Sequence, residues 1–256
     1  MEHGRVEVVG PSRWERLGLP AFVDTPPRRV LFAGLYAGLT AGFPYGFSIY
    51  APALKQQFGL HQSELMNINT IPFVFGTVSF AFGHATKAFG PAFSLRAGGL
   101  VLASSQLFTY ALATKMIELP PSLPPAFSLV ASSCVGFWGL QLIGSAAFTV
   151  PIQHFPARRG DVASIVKSFV GLGGGVTSQL YVVIWGTPTA DSTAFNALLL
   201  WCGLTLSLNA AGAAFVPTAA EAGRTEPKRM LSYLFYSIVG ACDCRGVCSR
   251  LSSSAF

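Results

Sequence analysis

Charge is what this sequence lacks. Only 11% of its 256 residues are charged, where a soluble domain carries about 25%. So few charges cannot cover a water-facing surface, and a freely soluble globular protein is excluded. The basic surplus, net +6, is no nucleic-acid footprint. Its Lys and Arg stand singly between apolar runs, without the clustering and interleaved aromatics such a surface needs. Histidine is scarce as well. His3, His61, His84 and His154 lie in links or tails, and none has metal-ligand spacing to another His, Asp or Glu. Neither metal nor cofactor is expected. The five cysteines form no even, spaced disulfide framework. No nucleophile–base set is present, so enzymatic chemistry is not expected. "GLGGG" at 171–175 lacks the G-K-[ST] end of a phosphate loop.

What is abundant is apolar length. Half of the residues are hydrophobic and mean hydropathy is positive. Crossing a bilayer takes roughly 20 mostly apolar residues. Six stretches qualify, at 30–52, 67–88, 93–114, 126–152, 163–185 and 194–216. The expected fold is therefore all-α, six transmembrane helices in a lipid bilayer. Residues 1–29 form a polar tail with no apolar core of signal-peptide length, and residues 217–256 form a second tail. In that second tail, "MLSYLFYSIVGA" at 230–241 is apolar but too short to span. It fits an interfacial segment, the start of a seventh helix, or unrelated sequence. Cys242, Cys244 and Cys248 follow; they could hold a soft metal or lipid chains, but an unstructured end explains them more simply.

The basic residues set the orientation. Fourteen fall in the two tails and in the links holding Lys87, Arg96, Arg158 and Arg159, against Lys55 and Lys115 alone in the opposite links. Lys and Arg concentrate on the cytoplasmic side, so both termini are expected there.

The first span carries Gly34, Gly38, Gly42 and Gly46, each four apart. One helical stripe of glycines lets a neighbouring backbone approach closely. Pro44 and Pro72 predict kinks in the first two spans. Wound as a helix, the fifth span has two faces. Ile165, Phe169, Leu172, Val176, Leu180 and Val183 are apolar and expected to meet lipid. Ser164, Lys167, Ser168, Gly171, Gly174, Gly175 and Ser178 are small or polar and expected to meet protein or a water-filled path. Gly171 and Gly175 are taken as packing positions. Lys167 lies about 9 Å of helix rise from the charged link at 158–161. Two readings stay open: a stem that snorkels to the interface, or a cavity lysine that attracts an anion. Thr40, Tyr45, Gln141 and Gln179 are further candidates for a solute pathway, each of which could instead bond a neighbouring helix. Asn196 and Asn209 are weaker candidates. Trp138, Trp185 and Trp201 are taken as packing or interface residues.

Three stretches carry a resemblance. "RGDVASIVKSFVGLGG" from Arg159, "YGFSIYAPALKQQFGLHQSEL" from Tyr45 and "GHATKAFGP" from Gly83 together resemble the plant nodulin-like proteins, a branch of the major facilitator superfamily. The first resembles the family's fifth helix, through Arg159, Gly160, Val162, Lys167, Phe169, Gly171, Leu172 and Gly174. The third resembles the superfamily's loop between helices two and three, through Gly83, Lys87, Gly90 and Arg96, except that Lys87 stands where an acid is usual. The resemblance runs from residue 30 to about 216. It implies an N-terminal half bundle of a twelve-helix secondary transporter, with a small solute bound between two halves. A homodimer or partner half would then complete the site. The competing reading is a six-helix membrane subunit that interacts or regulates without transporting.

Overall fold

The computed structural model describes residues 26–76, 80–120, 123–155, 158–187 and 192–216. The described residues are helical, with no strand among them. Helix α1 (Pro26–Ala41) runs into a 3-10 segment (Phe43–Ile49). Then follow α2 (Ala51–Phe58), α3 (Gln62–Gly76), α4 (Phe80–Phe89), α5 (Pro91–Ala113), α6 (Pro125–His154) and α7 (Arg159–Trp185). A short 3-10 turn (Ser192–Phe195) leads into α8 (Asn196–Phe215).

Four stretches are long and apolar enough to cross a membrane: Arg29–Ile49, Pro125–His154, Arg159–Trp185 and Ser192–Phe215. The chain is accordingly an integral membrane protein. The other two expected spans are not among these four. The span at 67–88 is described as α3 up to Gly76 and as α4 from Phe80. The span at 93–114 is α5, long enough at 23 residues. It is not among the four most apolar, because it carries Arg96, Gln106 and several hydroxyls.

Local chemistry explains the boundaries. Pro44 sits at the start of the 3-10 segment, so the expected kink is a change of helix type just beyond Ala41. Helix α2 stops at Gly59, whose φ of +62° suits glycine, and Leu60 beyond it is buried. Glu64 then accepts from the His61 backbone N–H at 2.8 Å, one half of a capping box. Helix α5 opens at Gly90, φ +87°, followed by Pro91. It closes with the Lys115 N–H donating to Leu112 and the Met116 N–H to Ala111. That double return is a Schellman stop, with Lys115 left-handed at φ +58°.

The two ends of the bundle differ. At one end Leu54, Leu60, Leu65, Leu112, Leu129 and Phe195 form a single buried cluster. It gathers α2, the start of α3, the end of α5 and the start of α6; Lys55 and Lys115 lie there. At the other end Thr86 of α4, Ser94 of α5 and Ser145 of α6 are hydrogen-bonded together. Helices α3 and α4 together thus join the two ends, as α5 does alone.

Glycines set the closest crossings. A methyl group added at Gly38 would lie 3.1 Å from the Val166 carbonyl oxygen. One at Gly42 would collide with the Val170 carbonyl oxygen and with Gly173. The four glycines of the first span do not meet one neighbour, however. Gly34 faces α6 at Pro151, Gly38 and Gly42 face α7, and Gly46 faces the Trp201 ring of α8. The 3-10 segment, with about 3.0 residues per turn in place of 3.6, carries the stripe off its course before Gly46. Gly98 of α5 and Gly139 of α6 make a second backbone-to-backbone crossing.

Gly42→Ala is expected to destabilise the bundle by about 1–3 kcal/mol, because the atoms it meets are backbone and cannot swing aside. Gly175→Ala meets open space and should leave melting unchanged or raise it, since alanine favours helix over glycine. Melting curves of the two variants in detergent check the contrast.

Candidate functional site: the open face of helix 7

Helix α7 is the least enclosed of the four membrane-length stretches. Only 28% of its most apolar window is buried, against 61% for Arg29–Ile49. Its buried edge is Val162, Val166, Val170, Gly173, Gly174, Thr177 and Tyr181. The 3-4 spacing makes this the stripe that meets α1 and the 3-10 segment. The stripe takes Gly174 from the small, polar face expected from the sequence and otherwise runs between the two expected faces.

Most of both expected faces points outward, but Gly174 is buried and Ile165, Phe169 and Ser178 are half-buried. Leu172, Val176, Leu180 and Val183 are exposed, as a lipid-facing side requires. Ser164, Lys167, Ser168, Gly171, Gly175 and Gln179 are exposed as well. Gly171 and Gly175 therefore do not pack against this chain; an added methyl would meet nothing within 4 Å at either. Gly173 and Gly174 take the packing role, against Leu39, Gly42 and Tyr45. The sequence hid this because "GLGGG" offers glycines on several sides of the helix at once.

The hydroxyls of the open face are satisfied internally. Ser164 donates to the Gly160 carbonyl and Ser168 to the Ser164 carbonyl, each at 2.9 Å. Such i−4 bonds let serine stand in an apolar medium without an orphan donor. Lys167 has no equivalent. Among the described residues it makes no hydrogen bond or ion pair. A lysine at a helix centre in lipid costs about 2.5–3.5 kcal/mol on the insertion scale, so the ammonium must reach water or another protein surface.

The remaining pathway candidates occupy other settings. Tyr45 is 58% exposed and its Cβ side lies against Gly174. Gln179 is exposed on α7. Gln141 is half-buried, its amide against Gly76 of α3. Thr40 is fully buried; it donates to the Tyr36 carbonyl at 3.1 Å and accepts from Asn209 Nδ2 at 3.3 Å. Thr40 thus lies in the α1–α8 interface. Asn209, ranked low from sequence, is the more telling residue: it also donates to the Thr205 carbonyl at 2.7 Å, while Thr205 Oγ1 donates to Gln106 Oε1 at 3.5 Å. The 99- and 169-residue separations of these bonds left no local signal.

In the loop motif, Gly83 is half-buried with open space at its Cα, and Lys87 and Arg96 are exposed. The residue that ties this motif down is Thr86, 3% exposed, through Ser94 and Ser145. The tail containing Cys242, Cys244 and Cys248 lies outside the described residues. Among the described residues, no cluster of His, Cys, Asp and Glu could hold a metal ion.

A family model described as Nodulin-like matches residues 29–250. The match continues past residue 216, where the sequence resemblance was drawn to a close, so the tail through Arg250 falls inside the matched stretch. No curated protein and no solved structure matches the chain.

In a background with the native cysteines replaced, Ser168→Cys is expected to react with a small cationic thiol reagent from water. Thr177→Cys, 2% exposed in the native residue, should stay unreactive. Reaction of Ser168→Cys with a lipid-soluble maleimide alone would put this face against acyl chains.

Proposed function

The chain belongs to the Nodulin-like family, and from that membership together with the open face of α7 we propose that it moves a small solute across a membrane. In this reading it is a non-enzymatic secondary transporter of the major facilitator type. The six segments joining the two ends of the bundle are six crossings, with α3 and α4 together forming the second. Both termini face the cytoplasm, and a second bundle, from another copy or a matching half, packs opposite α7. The solute runs between the two bundles, whose rocking exposes it to each side in turn.

The observation that carries this reading is Lys167, exposed beside Ser164, Ser168, Gly171 and Gly175 on the least enclosed helix. A charged residue facing outward at membrane depth marks a solute path or a protein contact by default. Exposed glycines beside it leave room for the opposite wall to come close. A positive charge on that wall favours an organic anion as solute. The charge asymmetry supports the orientation: Lys55 and Lys115 lie at one end of the bundle, Lys87, Arg158 and Arg159 in links to the other.

Two experiments test it. In a transport-competent context (this chain, its homodimer, or the chain with a matching half), Lys167→Arg should keep most anion uptake. Lys167→Gln should lose it roughly tenfold or more at equal protein level, the worth of one charged contact. Normal uptake by Lys167→Gln would leave the lysine a snorkelling residue and favour a subunit that interacts without transporting. For orientation, Gln56→Cys and Glu118→Cys should label from one side of sealed, oriented vesicles and Arg159→Cys from the other. Labelling of all three from the same side would overturn the six-crossing arrangement.

A further inference from the structure

Helices α5 and α6 leave a groove between them, toward the end of the bundle that holds Lys55 and Lys115. Its volume is about 540 Å³. Small residues form its floor, among them Ser105, Ala131 and Ser132, and Phe108, Phe127, Leu119 and Leu123 wall it. Phe108, Phe127 and Leu123 are exposed. No charged residue and no residue of α7 lines it. Three of its hydroxyls are bonded within the protein. Ser104 donates to the Val101 carbonyl at 2.8 Å, and Ser105 and Ser132 each donate to the other's carbonyl. The oxygen of the fourth, Ser128, is covered. What the groove presents is mostly hydrocarbon, too poor in polar partners to hold water well.

Length separates the possible occupants. Along α6 the groove runs from Phe127 to Val135, about 12 Å of helix rise. A transmembrane helix needs a seat along most of the roughly 30 Å of hydrocarbon. The groove stops one turn short of Gly139, where α6 meets Gly98 of α5 backbone to backbone. One leaflet's acyl layer is about half the hydrocarbon thickness, close to the length of the groove. Leu119 and Leu123 set its outer end at the link between α5 and α6, the level of the headgroups. That link also carries Lys115 and Glu118, both exposed. Among the described residues neither side chain makes a hydrogen bond or ion pair. One cation and one anion complement the phosphate and the ammonium of a zwitterionic headgroup. A fatty acid or a sterol offers only a carboxylate or a hydroxyl.

We propose that the α5–α6 groove holds the acyl chains of one zwitterionic phospholipid, with its headgroup at the link of Lys115 and Glu118. Lipid tails are as apolar as the groove, so no hydrophobic gain drives this binding. Packing drives it. A chain against a flat pair of helices touches protein on one side, whereas in the groove it touches the floor and both walls, and dispersion contacts add up. The bound lipid therefore stays while its neighbours exchange. The site stands independently of the transport reading, because it needs neither Lys167 nor a second bundle.

The full chain, stripped of lipid in detergent, is titrated with dioleoylphosphatidylcholine and followed by native mass spectrometry. It should take up one phospholipid in a saturable step. Ala131 and Ser104 are exposed within the groove, so a ring added at either fills it without breaking a contact between helices. Ala131→Phe and Ser104→Phe should each weaken the step about tenfold. Ala210→Phe, at an exposed position of α8, should leave it unchanged. Melting without lipid checks that each variant folds, and Ser104→Phe decides the matter if Ala131→Phe does not fold. Added phospholipid should raise the melting temperature of the native chain and of Ala210→Phe, but not of the two groove variants. Equal uptake and equal melting rises in every chain would overturn the site and leave annular lipid only. A saturable step with oleate or cholesterol as strong as that with the phospholipid would overturn it too, since the headgroup would then take no part.

Discussion

The close approach of backbones at glycine is the constraint on which the rest of the bundle depends. In lipid no hydrophobic force draws one apolar helix to another, so contact area and hydrogen bonds must do it. Gly42 against Val170 and Gly173 brings the end of α1 onto α7, and Gly98 against Gly139 brings α5 onto α6. At these distances a hydroxyl reaches across an interface. Ser105 donates to the Ser132 carbonyl at 2.7 Å and Ser132 returns the bond to the Ser105 carbonyl at 3.1 Å. With Gly136 packed on Ser105, the α5–α6 pair becomes the most extensive contact in the bundle.

The same medium shapes the polar residues. Most hydroxyls in the helices bond back to their own chain, as Thr40, Thr86, Thr177 and Ser207 do. Those with a second bond tie helices together: Thr86 joins α4, α5 and α6, and Thr40 with Asn209 joins α1 and α8. Satisfied in this way, polar groups act as glue and not as sites. Among the described residues Ser128 Oγ, His154 Nε2, Trp201 Nε1 and Asn209 Oδ1 are buried without a hydrogen-bond partner, and the exposed Lys167 faces outward, where another surface or water can meet its ammonium.

Some of this was legible in the amino-acid order. Length and hydropathy of the runs determined an all-helical membrane chain, since backbone hydrogen bonds in lipid must close within each segment. The three motif stretches led to the family, and the Lys/Arg count to the orientation proposed above. Tertiary structure decided what depends on rotation and on distant partners. It selected Gly173 and Gly174 over Gly171 and Gly175, because several faces of α7 carry glycine and only packing chooses among them. It placed Thr40 and Asn209 together as the α1–α8 tie, because the two meet across 169 residues of chain. It gathered five separate segments around Trp201. Periodicity within one helix carries no information about which neighbours will enclose it.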